Sequence, residues 1–339
     1  MNMTELPSRV VELIESSSVA EFATVSAVGI PIDTPTNCFA SDDLSSIDVT
    51  TGMAYPAKAE RARRNPKAGL LLEGLPGEPV VAIAGYAAVR DANLQANAER
   101  YIAETGYEGI SFGLPWERGR KAVWYWTRII IQVTPAKIMW WDSAEAMDGP
   151  PEVWQAPEYT VFPQSDPSPA GQTSSPLQWP QRAWQELADD ALGRNAPGHL
   201  TLCDAGGWPL PMRAQRIERS DTGFRLVIPR GAPWSTGKAT LTFQGVETFV
   251  GDIDLKNGEG QFAVERALPQ HPMVTDPCEV IQPREEVRAK FMARLEEEAN
   301  RRGQAIPTMP IELPKPTRLA LVRQTRAARI LKSMQPESV

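Results

Sequence analysis

Apolar and polar positions alternate along the first part of the chain in short runs broken by turn residues. Residues 4–17 place Leu6, Val10, Leu13 and Ile14 near one face, which predicts an amphipathic helix with Thr4 as its cap. Such a helix suits the end of a barrel. Residues 21–26 alternate as a strand, Gly29 supplies a turn conformation within residues 27–31, and residues 32–40 read as the returning strand. Ser41, Asp42 and Asp43 make the next turn, and a third strand covers residues 46–51. Residues 58–64 are helical and basic, and Asn65-Pro66 ends that helix. Residues 68–73 are a continuous apolar strand, and residues 80–90 a longer one in which Gly85 predicts a bend. Residues 93–104 form a helix buried through Leu94, Ala98, Tyr101 and Ile102. Residues 112–119 are irregular, and residues 123–133 and 137–142 read as two further strands. The pattern is that of a small antiparallel β-barrel with helices at its seams.

Periodicity fades over residues 145–180, which are rich in Pro, Ser, Gln and Asp and read as a linker lying along the surface. A helix over residues 181–192 follows. Then the first pattern returns. Residues 22–31 match residues 200–209: each has a short strand, a small-residue turn with glycine, an apolar residue, and a proline that opens the return strand. Residues 46–52 correspond to 225–231, residues 68–74 to 239–245, and Gly85 to Gly251. Ordered agreement of turn, proline, strand and glycine favours an internal repeat over chance spacing. One part is not repeated. The stretch 53–67 carries the basic helix, whereas its counterpart, 232–238, is too short for a helix plus turns.

Residues 283–302 form a charged helix with Val287, Phe291 and Leu295 as its apolar line. Residues 307–316 are an extended Pro-rich arm, and residues 317–334 a basic amphipathic helix with Leu319, Val322, Ala327 and Ile330 as apolar contacts. For a basic helix of this kind a solvated face or a dimer contact is the commoner use than RNA or membrane binding. The domain division is therefore 1–144, a first barrel; 145–180, a linker; 181–278, a second, degenerate barrel; and 279–339, a C-terminal extension.

Composition narrows the chemistry. With 339 residues, 42% of them hydrophobic, the chain is long enough for two cores. Its net charge of −7 argues against a nucleic-acid partner. Cys38, Cys203 and Cys278 are far apart and form neither a disulfide framework nor a zinc pattern. No metal site is expected. Residues 1–19 lack a signal-peptide pattern, and no apolar run reaches the roughly 20 residues of a membrane span. A cytoplasmic protein without a membrane partner is the expectation. Only two histidines, His199 and His271, are available, so a His-based metal site or a Ser-His-Asp triad has little to draw on. Chemistry borne by a cofactor fits better.

The richest stretch for such a cofactor is residues 21–74. A strand ends in Thr50, Thr51 and Gly52, and the basic helix carrying Lys58 follows. Hydroxyls, a lysine and a helix N-terminus together make a physically sensible seat for a phosphate. Trp124, Tyr125, Trp126, Trp140 and Trp141 form an aromatic concentration for which core and interface packing is the default.

In order and spacing, this stretch resembles the flavin-binding split β-barrel of the pyridoxamine 5′-phosphate oxidase-like superfamily. The matching elements are the Gly29-Ile30-Pro31 turn, the Val49-Thr50-Thr51-Gly52 strand end, Lys58 through Asn65-Pro66, the apolar strand at Leu70-Leu71-Leu72, and the later strand running from Arg128 to Asp142. Residues 1–142 carry the resemblance well and the second barrel more loosely. It implies a mainly β fold with flanking helices (α+β), built as two tandem split β-barrels of the FMN-binding type. It further implies that Lys58 contacts the FMN phosphate, that Thr50 and Thr51 help cradle it, and that Thr34, Pro35, Thr36 and Asn37 run along the isoalloxazine ring.

Departures from the pattern matter as much. Ala57 stands where many members have arginine, Val80 where the oxidases proper carry glutamine, and Thr34 where they carry arginine. Pyridoxamine phosphate is therefore not the expected substrate. Arg61 is a candidate to replace the missing arginine, and Arg64 a second. Three readings follow: an FMN-dependent oxidoreductase acting on a small organic substrate; a relative that binds deazaflavin F420 or haem, with His199 or His271 available as ligand; and a non-catalytic assembly module. No side chain is assigned as catalytic acid or base. Single-barrel relatives pair around the flavin, so the expected partner is a second copy in a homodimer or the second barrel in an intramolecular pseudo-dimer.

Overall fold

The computed structural model describes residues 5–107, 114–173, 178–270 and 283–333. Helix α1 (Ser8–Ser16) opens the chain and leads into β1 (Val19–Val25), β2 (Pro31–Ala40) and β3 (Ile47–Gly52). Helix α2 (Ala57–Arg64), β4 (Lys67–Glu73), β5 (Val80–Arg90) and α3 (Leu94–Thr105) follow. Two single-turn helices, α4 (Trp116–Gly119) and α5 (Val123–Trp126), precede the long strand β6 (Arg128–Trp141) and the short β7 (Glu152–Gln155). The strands run β3-β2-β1-β4-β5-β6-β7, and β3 also pairs with β6, which closes a six-stranded barrel. Leu6, Val10, Leu13 and Ile14 are buried in its core beside Phe22, Leu70 and Leu72, the role expected of the first helix. That helix starts after Pro7, and Thr4 lies outside the described residues.

Two expectations for this half change. Residues 123–126 are helical, and the two strands read from 123–133 and 137–142 are one strand, β6. Pro135, between the two strands as read, pairs with Gly85 where the β5–β6 register shifts. A bulge accepts a residue without an N–H, so the strand continues through it. The segment read as a linker also contributes structure: β7 pairs with β6, and farther on the Phe162 ring packs 4.4 Å from that of Tyr86.

The second half comprises α6 (Trp184–Gly193), β8 (Gly198–Cys203), β9 (Pro209–Arg213), β10 (Arg216–Ser220), β11 (Gly223–Val227), β12 (Thr236–Phe243), β13 (Glu247–Lys256) and β14 (Glu259–Ala267). Its sheet order is β10-β11-β14-β13-β12-β8-β9. The order follows that of the first sheet, with one pairing lost: β9 does not bond to β11, so this sheet stays open as a half-barrel. Gly251 falls at a register shift between β13 and β14, as Gly85 does between β5 and β6. No helix stands between β11 and β12, as the short 232–238 stretch requires.

The half-barrel packs against the outside of the first barrel. Leu71, Ala82, Met139 and Trp141 from β4, β5 and β6 belong to its core, together with Leu200, Phe224, Phe243 and Phe262. Burial on both faces explains why β4 and β5 read as continuous apolar runs. The approach is close enough that a Cβ on Gly69 would lie 1.7 Å from the Pro209 carbonyl oxygen. The seam also holds charge. His199 on β8 sits between Glu21 on β1 (Nδ1 to Oε1, 3.3 Å) and Glu73 on β4 (Nε2 to Oε2, 2.7 Å), with Asp33 of β2 fully buried nearby. In the matched numbering Glu21 and His199 are equivalent positions, so each half meets the other there with a different side chain.

The C-terminal extension returns to the first barrel as α7 (Glu285–Arg301) and α8 (Arg318–Ser333). Val287, Phe291 and Leu295 are buried in the first core as read. In α8 the buried side is Leu319, Ala320 and Arg323, while Val322 and Ala327 are exposed. Arg323 reaches Glu104 at 2.6 Å, and that ion pair turns the helix away from its apolar line.

Candidate functional site

The register of β2 and β3 creates the site. The two strands pair only from Cys38–Ala40 to Ile47–Val49. Beyond that point β3 follows β6, with Thr50 opposite Ile130 and Gly52 opposite Arg128, while β2 follows β1. The gap between them leaves the β3-facing backbone groups of residues 34–37 without a strand partner, and buried backbone groups must find one. A single side chain bridges the gap: Thr36 Oγ1 donates to the Thr50 carbonyl at 2.8 Å.

A cavity of about 430 Å³ occupies this gap. Such a volume lies in the range of small-ligand and cofactor sites. Thr34, Pro35, Thr36 and Asn37 form one wall, and Thr50, Thr51 and Lys58 another. Seven of the eight residues predicted for the site are therefore brought together. Arg61 is not. Its Nε donates to Thr24 Oγ1 at 2.8 Å, on the barrel side of α2, and it does not line the cavity. One helical turn separates it from Lys58, and the same packing that aims Lys58 at the gap seats Arg61 against β1.

The cation that sequence reasoning missed is Arg128. It lies opposite Gly52 at the start of β6 and lines the cavity. Its guanidinium stacks on the rings of Tyr101 and Tyr125, at 4.5 and 4.3 Å, and its Nη1 lies 3.4 Å from the Tyr55 hydroxyl. Stacking suits the planar, weakly hydrated guanidinium. Only the cross-strand register brings it here; no local motif marks it. Tyr101, from α3, accepts a hydrogen bond from Asn37 Nδ2 at 2.8 Å and lies 3.1 Å from the Tyr125 hydroxyl. Of the concentrated aromatics, Tyr125 reaches the cavity, whereas Trp126 donates to the Gly119 carbonyl and Trp141 to that of Gly149.

Charge in this cavity is one-sided. No Asp or Glu lines it, and neither Lys58 nor Arg128 forms an ion pair with a carboxylate among the described residues. Burial, then the positive charges of Arg61 and Arg128, lowers the pKa of Lys58 to about 8. Thr34 Oγ1 is buried without a hydrogen-bond partner among the described residues. Buried cations and hydroxyls left in this way call for an anion with several acceptor oxygens.

The second half completes the enclosure. Gly245 and Val246, from the β12–β13 turn, and Thr248, Leu268 and Pro269 form the remaining wall. Gly245 has φ of +73°, and a Cβ there would meet Pro35 Cδ at 2.7 Å, so the turn requires glycine on both counts. Sequence reasoning did not place these residues at the site, because nothing local to them signals a ligand.

Of the two potential haem ligands, the described one, His199, does not stand in the cavity wall. His199 is engaged by Glu73 and Glu21 in the seam, and His271 lies outside the described residues, as does Cys278. Among the described residues no cluster of His, Cys, Asp or Glu could hold a metal, and no helix is long and apolar enough to cross a membrane.

Comparison with known proteins gives fold likeness only. No family model and no curated protein matches the chain. Among solved structures, it is similar to a conserved hypothetical protein from Mycobacterium tuberculosis, at 19% identity over 48% of this chain and 95% of that one, with a TM-score of 0.34. It is also similar to a pyridoxamine 5′-phosphate oxidase-related, FMN-binding protein from Nostoc punctiforme, at 14% identity over 41% of this chain and 86% of that one, with a TM-score of 0.32. A haem storage protein from Vibrio cholerae matches at 15% identity over 38% and 89%, with a TM-score of 0.28.

Proposed function

We propose that the cavity between β2 and β3 holds FMN and that the protein is a flavin-dependent oxidoreductase acting on a small organic substrate. The observation that carries this reading is the pairing of Lys58 and Arg128, both without a carboxylate partner among the described residues, beside the Thr50-Thr51 strand end. A dianionic phosphate matches both charges, while the Thr51 hydroxyl donates to the Tyr55 carbonyl at 3.1 Å and shapes the strand end beside it. The β3-facing backbone groups of residues 34–37 then meet the polar edge of a flavin ring, Pro35 offering a carbonyl but no N–H. Bound there, the flavin supplies hydride or electron transfer. The chain's own part is to anchor the phosphate, orient the ring, and exclude water with Tyr55, Leu268 and Pro269. No residue is given a proton-transfer role. The same reading takes the two sheets as copies of one unit, of which only the first kept the phosphate seat, and makes the second half the internal partner that closes the site.

Turnover separates this reading from a non-catalytic module. Purified protein reconstituted with FMN is expected to show bleaching of the flavin's visible absorption band on addition of NADH or NADPH, with recovery in air, and Lys58→Met is expected to need more FMN for both. A wild-type protein that binds FMN but is not reduced by either nucleotide contradicts the enzymatic part of the proposal.

A further inference from the structure

Helix α2 carries Lys58 but has little to hold it in place. It is eight residues long, its N-terminus after Pro56 has no side-chain cap, and its buried residues are only Ala59 and Ala62. A helix this short has no stability of its own in water. Beyond the Arg61–Thr24 bond to β1, it is held on the opposite side, where the C-terminal extension meets it.

Glu60 and Arg63 lie one turn apart on α2 and face a buried set of charges. Glu60 pairs with Arg301, and with Arg302 at 3.5 Å. Arg302 also pairs with Asp91 at 2.9 Å and with Glu298, and Arg301 pairs with Glu298 at 3.0 Å. Arg63 pairs with Asp91 at 2.8 Å. The pairs named join three carboxylates to three guanidiniums among the described residues, with the Glu298 side chain fully buried and those of Arg302 and Asp91 each 2% exposed. Removing one member of such a network leaves a charge buried without a partner, which is far more costly than removing a matched pair. Farther up α7, Phe291 packs edge-on against Tyr55, a wall of the cavity, with ring centroids 6.2 Å apart.

We infer that the C-terminal extension is a working part of the cofactor site: Glu298, Arg301 and Arg302 are positioning residues that clamp α2 through Glu60 and Arg63 and so hold Lys58 at the phosphate. This inference rests on the FMN reading for its ligand, but not for its mechanics. Residues 57–64 are tied to residues 298–302, at the far end of the chain, and none of the latter lines the cavity.

The test is a charge cycle on the full-length protein, Arg301→Gln, Glu60→Gln and the double variant, titrated with FMN and with riboflavin, which lacks the phosphate. Arg301→Gln is expected to weaken FMN at least tenfold and riboflavin less than twofold, because only the phosphate depends on Lys58. Glu60→Gln is expected to weaken FMN likewise, and the double variant to bind within threefold of Arg301→Gln rather than with the product of the two losses, because both residues act through one contact. Equal weakening of both flavins, or no loss of FMN affinity in Arg301→Gln, overturns the clamp. Wild-type protein that binds neither flavin overturns the FMN reading instead. Amide hydrogen exchange across residues 57–64 then decides the clamp: faster exchange in Arg301→Gln and in the double variant supports it, and unchanged exchange overturns it.

Discussion

A lysine in a cavity without a carboxylate partner stays charged against its own desolvation. For Lys58, burial and the neighbouring arginines lower the pKa to about 8, so an anion that binds the ammonium must compete with loss of its proton above that pH. The expected outcome is FMN affinity that is level near pH 7 and falls by up to about tenfold per pH unit above pH 8, measured by fluorescence quenching. Riboflavin affinity is expected to stay flat, and Lys58→Met to remove the slope for FMN. Arg128 keeps its charge throughout, so Arg128→Met is expected to weaken FMN by ~10- to 100-fold, on the order of a lost charge-assisted contact, at every pH. At this scale much of the site was legible. Thr50, Thr51 and Lys58 stand in a local pattern that carries its own chemistry, whereas residues 34–37 followed from the family resemblance alone; all seven line the cavity. Arg61 was misplaced because helical spacing alone does not say which side of a short helix faces the barrel. Arg128 was missed because its place depends on pairing with Gly52 across the sheet.

Among elements, the strands and long helices followed from alternation, apolar runs and turn residues, and the errors fell where tertiary context overrides these. The Val123–Trp126 stretch is β-prone in composition, yet it turns as a helix because Trp126 reaches back to the Gly119 carbonyl at 2.8 Å and Thr127 bonds to Val123. The strands read as 123–133 and 137–142 are one, because Pro135 is absorbed by the bulge at Gly85. That bulge is tight: a Cβ on Gly85 would lie 2.9 Å from the Thr134 carbonyl oxygen and 2.6 Å from Val133. Gly85→Ala is expected to destabilise the protein by about 1–3 kcal/mol, the cost of overpacking, in denaturant unfolding. Phe291 anchors α7 in the first core while fully buried, so Phe291→Ala is expected to cost about 3–5 kcal/mol and, through Tyr55, to weaken both flavins.

In the whole molecule, the two halves act as one because the seam is both close-packed and charged. Repetition along the sequence pointed to two similar sheets, and the missing helix in the second was read correctly from length alone. The openness of the second sheet and its contribution of Gly245, Val246 and Pro269 to the cavity were not legible, since both depend on how the halves pack. The seam has a pH signature. Burial opposes the charge of His199, but the hydrogen bond to Glu73 and the carboxylates of Glu21 and Asp33 outweigh it and raise the pKa to about 9. A histidine whose folded pKa exceeds its unfolded value of about 6.5 contributes stability that is full below that value and is lost as pH rises through the folded one. Asp33 and Glu21, held above the carboxylate range chiefly by burial, act in the same direction, whereas Glu73 is held low and favours the folded state once pH exceeds its unfolded value. The unfolding temperature is therefore expected to fall between pH 7 and pH 10, and to fall less steeply in His199→Gln. The central claim, one phosphate seat built by the first barrel and closed by the second half, is tested most directly by the stoichiometry and phosphate dependence of flavin binding. Equilibrium titration of the purified chain is predicted to give one FMN per chain, bound at least tenfold more tightly than riboflavin; no FMN binding, two sites per chain, or equal affinity for the two flavins contradicts it.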